Sequence, residues 1–440
     1  MTTHLHPIAR KIRFASLAGA LLACAFPASA EYLRPILQQN SPAIEPTDRT
    51  GEDQPGVLTR GYPEFEAPGI AVGSFILSPR LVTDLGYSDN VYARPNSTKA
   101  SAIGAIAPEA KLRSNWSRHL LEASARAEAK RYASQKSENV ENYGFTLGGG
   151  LTLTSDSEVT AGVRRERQHD LRGDPDSLSR ATDPMPLDLT TGDIGFRQAF
   201  GRFSVKLDGG LRDYHYQSMT GGNGRLIDGN DRSFMTAGGR GRLNYEVNPD
   251  LILFGEGGWQ ARRYDRAAGN GLKNRDSTGP EAGAGVNFAL SALWSGEIAV
   301  GYAQRDIEDA SFGSVSAMTA RGQILWNMTR ATSVRAQALR GIGEAAVGPS
   351  IAYVSTTYWL GIEHQLQSDF LLGANISTRN VDYAKSRDET DILSVGARAT
   401  WFINRNFRAQ AEYSFSHRDG TIAESNFDRN IGMLRFVSSF

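Results

Sequence analysis

From about residue 72 to its end the chain alternates between apolar and polar positions in segments of nine to thirteen residues. In the first, Phe75, Leu77, Leu81, Leu85 and Tyr87 share one parity while Ser78, Arg80, Asp84 and Ser88 hold the other. An extended strand sends those two sets to opposite faces. The third segment repeats the pattern, with Leu121, Ala123, Ala125, Ala127 and Ala129 set against Glu122, Ser124, Arg126, Glu128 and Lys130. Eighteen such segments can be counted, centred near residues 80, 107, 126, 147, 162, 194, 208, 239, 256, 283, 299, 320, 336, 358, 374, 395, 411 and 434. Their connections alternate between tight turns, as at 200 to 202 and 403 to 406, and longer polar loops, as at 168 to 188 and 215 to 231.

Segregation of loop length by parity is the pattern of an outer-membrane barrel with its short turns in the periplasm, and a soluble sandwich or propeller has no reason to adopt it. Lipid offers backbone groups no hydrogen-bond partner, so a sheet that enters it must close on itself. The sequence therefore predicts an all-β fold over 72–440: a transmembrane antiparallel β-barrel of about 18 strands. Many outward positions are small, as at Ala282, Ala284, Gly255 and Gly257, so the apolar signal of each strand is modest. The last segment ends in an aromatic, and Phe440 and Phe436 form the expected recognition signal for the barrel-assembly machinery, although Ser438 stands where an apolar residue is commoner.

Ahead of the barrel, Arg10, Lys11 and Arg13 precede an apolar run from Phe14 to Phe26 and then Ala28-Ser29-Ala30, the layout of a secretory signal over 1–30 with cleavage after Ala30. That run is too short to cross a bilayer as a helix. Leu21-Leu22-Ala23-Cys24 also resembles a lipoprotein processing site, with Leu22 bulky for that role. Residues 31 to 70 carry six of the seventeen prolines and no periodicity, which predicts a disordered, flexible periplasmic leader over 31–71.

Inward parity places Lys111, Arg113, Arg126, Glu128, Lys206, Asp208, Glu256, Arg262, Glu297, Arg321, Arg335, Glu363, Arg398, Arg408 and Glu412 along the lumen. With 48 basic and 48 acidic residues in the chain, that lumen carries both signs, and arginine outnumbers lysine forty to eight. Guanidinium forks can pair with wall carboxylates or with sugars in transit. A barrel of this girth leaves an aqueous channel unless something fills it, and neither the leader nor the loops predict a plug. Trp359, Phe254, Tyr214 and Tyr264 read as interface anchors or as sliding surfaces for sugar rings.

Other chemistry finds little support. Cys24 is the only cysteine and lies in the signal, so the processed chain offers no thiolate. Ser414 and Ser416 have the opposite parity to His417, which argues against a serine esterase on the wall. Asp174, Asp176 and Asp183 crowd one loop without calcium-loop spacing. The expectations are no enzyme, no cofactor, no metal and no nucleic-acid partner.

Ser78-Pro79-Arg80-Leu81 followed by Tyr87-Ser88-Asp89-Asn90-Val91-Tyr92 resembles the opening strand and first loop of the outer-membrane beta-barrel porins of the second type. Ser114-Asn115-Trp116-Ser117-Arg118-His119 is similar to that family at a turn, as is the stretch from Asp231-Arg232-Ser233 through Tyr245 and Asn248-Pro249 to Arg263-Tyr264-Asp265. The resemblance implies an outer-membrane conduit for a secreted exopolysaccharide or smaller hydrophilic solutes, with outer-membrane lipid, assembly machinery, polysaccharide and periplasmic export components as partners. A general diffusion porin, or a structural or adhesive barrel with a closed lumen, would have the same architecture.

Overall fold

A computed structural model of the protein describes residues 56–174, 182–221, 226–265, 274–291, 293–344, 350–421 and 425–440. The signal, most of the leader and Asp176 lie outside them. Eighteen long strands follow one another: β1 Phe75–Ser88, β2 Ser101–Ser114, β3 His119–Tyr132, β4 Val140–Thr152, β5 Ser157–His169, β6 Pro186–Phe200, β7 Phe203–Tyr216, β8 Phe234–Asn248 and β9 Leu251–Tyr264. The second half is β10 Ser277–Leu290, β11 Trp294–Ile307, β12 Ser314–Thr329, β13 Thr332–Glu344, β14 Ala352–Gln367, β15 Phe370–Tyr383, β16 Glu389–Phe402, β17 Phe407–Gly420 and β18 Phe427–Ser439. Each pairs antiparallel with its sequence neighbours, and β1 closes on β18 from Arg80↔Ser439 to Ser88↔Ile431. All eighteen predicted centres fall within strands.

Closure leaves no free edge along the wall, which is the condition lipid imposes. The ladder is interrupted beside Pro108 and Pro280, whose nitrogens have no proton to give. Buried Asp84 and Arg435 join the first strand to the last by two hydrogen bonds, Nε to Oδ1 at 2.7 Å and Nη2 to Oδ2 at 2.9 Å. Gly86 lies on the same seam, where a Cβ would stand 2.6 Å from the Gly432 carbonyl oxygen and closer still to Met433.

The outward rows expose an apolar belt that includes Leu85, Ile106, Phe145, Ile194, Leu211, Leu253, Leu360 and Leu434. Aromatic rings border it. At the rim of short turns Trp294 stacks on Trp326 at 5.0 Å, Phe203 meets Tyr245 at 5.0 Å and Phe407 stacks on Phe436 at 5.6 Å. Towards the rim of long loops stand outward Tyr87, Tyr143, Tyr302, Tyr358 and Tyr413. Along β11, Trp294 and Tyr302 are eight residues apart, roughly 26 Å of strand and about 20 Å of depth at a tilt near 40°, the right order for a bilayer's apolar core.

The described end of the leader departs from the expectation of a free tail. Residues 56–66 lie inside the barrel at the short-turn mouth, against β12 to β16. Val57 N donates to Ser333 Oγ at 2.8 Å, Arg60 Nη1 to the Arg330 carbonyl at 2.7 Å, and the Tyr62 hydroxyl to the Val57 carbonyl at 2.7 Å. Val57 and Tyr62 bury themselves with inward Leu371, and Phe65 stacks on Phe402 at 5.3 Å. Beyond this strap, Ile70–Val72 pairs with Phe75–Leu77 at the very start of β1.

Candidate functional site: the lumen and its two narrowings

Alternation turns a polar row from every strand inward, where it encloses a cavity of about 2220 Å³. Its lining reaches from Phe65, Glu66 and Ala67 at the short-turn mouth to Leu171–Asp174 at the other. Eleven of the fifteen lumen residues expected from sequence line it: Lys111, Arg126, Glu128, Lys206, Asp208, Glu256, Glu297, Arg321, Arg398, Arg408 and Glu412. The other four share the inward parity but are placed differently. Arg113 sits next to the short-turn rim at the end of β2. Arg335 and Glu363 are buried in the wall beneath the strap, where Glu363 Oε2 accepts from Leu58 N at 3.3 Å. Arg262 is covered by Phe234, whose ring centre lies 4.2 Å from its guanidinium.

Much of the inward charge is paired along the wall. Glu109 receives Arg80 and Arg126, Lys111 meets Glu122 at 2.8 Å, and Arg126 reaches Glu128 at 3.7 Å. On the opposite wall Arg321 bridges Glu256 and Glu297, while Arg242 also holds Glu297 at 2.9 Å. Phe254 is buried under the Arg242 guanidinium at 3.5 Å, and Trp359 lines the lumen. Tyr214 and Tyr264 pack inward with Phe234, Leu187 and Met185. None of these four rings is an interface anchor; the wall arginines and the loop ends give them an apolar interior to fill. Ser414 and Ser416 face the cavity, whereas His417 points outward to Asp428 at 2.7 Å.

The second narrowing comes from the loop between β5 and β6, which turns into the barrel at the long-loop mouth. Asp170 binds Arg232 at 2.6 Å, beside the start of β8. Burial pushes the Asp170 carboxyl above the usual carboxylate range, with Arg232 pulling the other way. Arg172 then forks onto Glu138 with bonds of 3.0 and 2.6 Å, both groups buried. Its carbonyl accepts from Arg429 Nη1 at 3.0 Å, and the Gly173 carbonyl accepts from Arg418 Nη1 at 3.3 Å. Asp174 ends 3.9 Å from Arg379 on β15, so the loop bridges from the β8 side of the mouth to the β15 side.

Gly173 makes the turn possible, with φ at +88° and a backbone so close to Phe427 that a Cβ would stand 2.7 Å from the ring. Sequence parity alone would have put Arg379, Arg418 and Arg429 inward. The contacts that dock a loop onto them, such as Arg418 to Gly173 across 245 residues of chain, have no local signal.

The family model described as "Putative beta-barrel porin 2" matches residues 62–440. Among solved structures the chain resembles the siderophore receptor PirA from Pseudomonas aeruginosa, at 11% identity over 82% of this chain and 80% of that one, TM-score 0.43. It resembles Acinetobacter baumannii OccAB3 at 13% identity over 84% of this chain and 100% of that one, TM-score 0.47. No curated protein matches.

Proposed function

The chain belongs to the family of beta-barrel porins of the second type, and from that premise we propose that it is an outer-membrane channel, a passive conduit for secreted exopolysaccharide or other hydrophilic solutes. The observation that carries this reading is the cavity of about 2220 Å³ whose lining, rich in charged side chains, reaches from one mouth of the closed barrel to the other. On this reading the short turns face the periplasm and the strap guards the entry side. A hydrophilic chain or solute exchanges its hydration for weak bonds to Lys206, Asp208, Arg398, Arg408 and Glu412, none strong enough to hold it. The step is physical, with no covalent bond made or broken, and export after Ala30 and insertion by the assembly machinery through Phe440 and Phe436 complete the proposal.

General diffusion is the second reading, and the two narrowings favour it for small solutes, because strap and inward loop both take space from a thick chain. Planar-bilayer recording tests both: defined conductance steps are expected, and a barrel sealed at all voltages would leave only a structural or adhesive role. Loss of secreted polysaccharide on deleting the gene, with restoration by the wild-type copy, is the result expected of the exporter; unchanged secretion leaves the diffusion porin.

A further inference from the structure

The docking of the inward loop is lopsided in charge. Three guanidinium groups, Arg379 on β15, Arg418 on β17 and Arg429 on β18, converge beneath it, and Arg379 and Arg418 stand close enough to repel one another. Among the described residues of the loop their partners are two carbonyl oxygens and one carboxylate, Asp174, 3.9 Å from Arg379 and so beyond hydrogen-bond reach. The Glu138 carboxylate nearby is engaged by Arg172, which donates to both of its oxygens. Asp89 acts on Arg429 from further away, its oxygens already receiving Asn430 N at 2.7 Å and Asn430 Nδ2 at 2.6 Å. Among the described residues, Tyr383 faces Arg418 and Tyr132 faces Arg429.

Burial makes this arrangement costly. Arg379 is 9% exposed and Arg418 4%, yet Nε and Nη2 of Arg379, Nε of Arg418 and Nε of Arg429 find no acceptor among the described residues. Planar guanidinium forks with free donors, buried and in excess over carboxylates, are suited to a bidentate oxyanion. Arg379, Arg429, Asp174 and Phe427 line the same cavity as the rest of the lumen, so a solute there can reach them.

We propose that Arg379, Arg418 and Arg429 form a binding site for a mobile oxyanion, the carboxylate or phosphate of an acidic saccharide, with Asp174 as its built-in competitor. The proposal deepens the channel reading and rests on it for the ligand's route: the cargo is acidic, and its charged group takes the place that Asp174 fills at 3.9 Å.

Calorimetry on the detergent-solubilised full chain at low salt tests it, with trigalacturonate, maltotriose and inorganic phosphate as probes. Trigalacturonate is expected to bind, neutral maltotriose to bind at least tenfold more weakly, and Arg379→Gln or Arg418→Gln to weaken trigalacturonate about tenfold. Phosphate that displaces trigalacturonate identifies a general oxyanion site, and phosphate that fails to do so identifies a carboxylate site; both outcomes sustain the proposal. Asp174→Asn guards against variants that merely misassemble, because it should tighten binding several-fold. Equal affinity for the charged and neutral trisaccharides, or no tightening in Asp174→Asn, overturns the site. Conductance is read separately: a barrel that binds trigalacturonate but never conducts removes the conduit and leaves the site standing.

Discussion

Truncating Arg172 to alanine would leave Glu138 buried without its two charged hydrogen bonds, a loss of about 3–5 kcal/mol for a broken buried pair. The energy resides in the loop's attachment, so Arg172→Ala is expected to free the inward loop while the wall stays closed. Limited proteolysis should then cut between Asp170 and Pro186, and single-channel conductance should rise above wild type. Gly173→Val should do the same for a different reason. Its φ of +88° disfavours a branched side chain, and the ring of Phe427 occupies the space that side chain needs. At this scale the sequence was only half legible. Parity pointed to Arg126, Arg321, Arg398 and Arg408, which line the cavity, because water and lipid on opposite faces force a period of two; it could not tell them from Arg113, Arg262 and Arg335, which do not. It was silent about Asp174 and Arg172, whose positions depend on partners that are remote in sequence or lie in other loops.

Strands and turns were legible for the same physical reason that makes them form. Each of the eighteen alternating segments became a strand, and the tight turns gathered at one rim. The docking of the leader's described end left no signal in the sequence, because three apolar residues, Val57, Tyr62 and Phe65, suffice to hold a strap against a wall already built, and three residues set no periodicity. The seam between β1 and β18 is the element on which the barrel's integrity depends most directly. Asp84→Ala is expected to cost about 3–5 kcal/mol by leaving Arg435 buried with less to balance it, lowering the temperature at which the folded band shifts in unheated-versus-heated gel electrophoresis. Gly86→Val should be more severe, since a Cβ there meets the backbone of the partner strand, and the readout is loss of the heat-modifiable band altogether.

For the molecule as a whole, the strap predicts a channel narrower than its girth implies. A Cβ on Gly56 would lie 3.4 Å from the Ser333 Cβ, near the span of a disulfide. With Cys24 in the proposed signal as the only native cysteine, Gly56→Cys with Ser333→Cys should form one clean crosslink. Oxidised, the double variant is expected to conduct like wild type; removing residues 56–66 should raise conductance, and equal currents from both would show that the strap does not limit flow. N-terminal mass analysis should find the processed chain beginning at Glu31. The small pairing of Ile70–Val72 with Phe75–Leu77 also bears on assembly. It occupies the stretch of the first strand that lies just before Pro79, whose carbonyl takes the final bond of the last strand from Phe440 N at 3.1 Å. A slip of β18 by two residues towards the start of β1 would preserve its greasy and wet faces and so go unpunished by the bilayer, but it would drive Phe440 into that pairing. Three residues at the edge of the sheet thus serve as a chock against a slip in that direction.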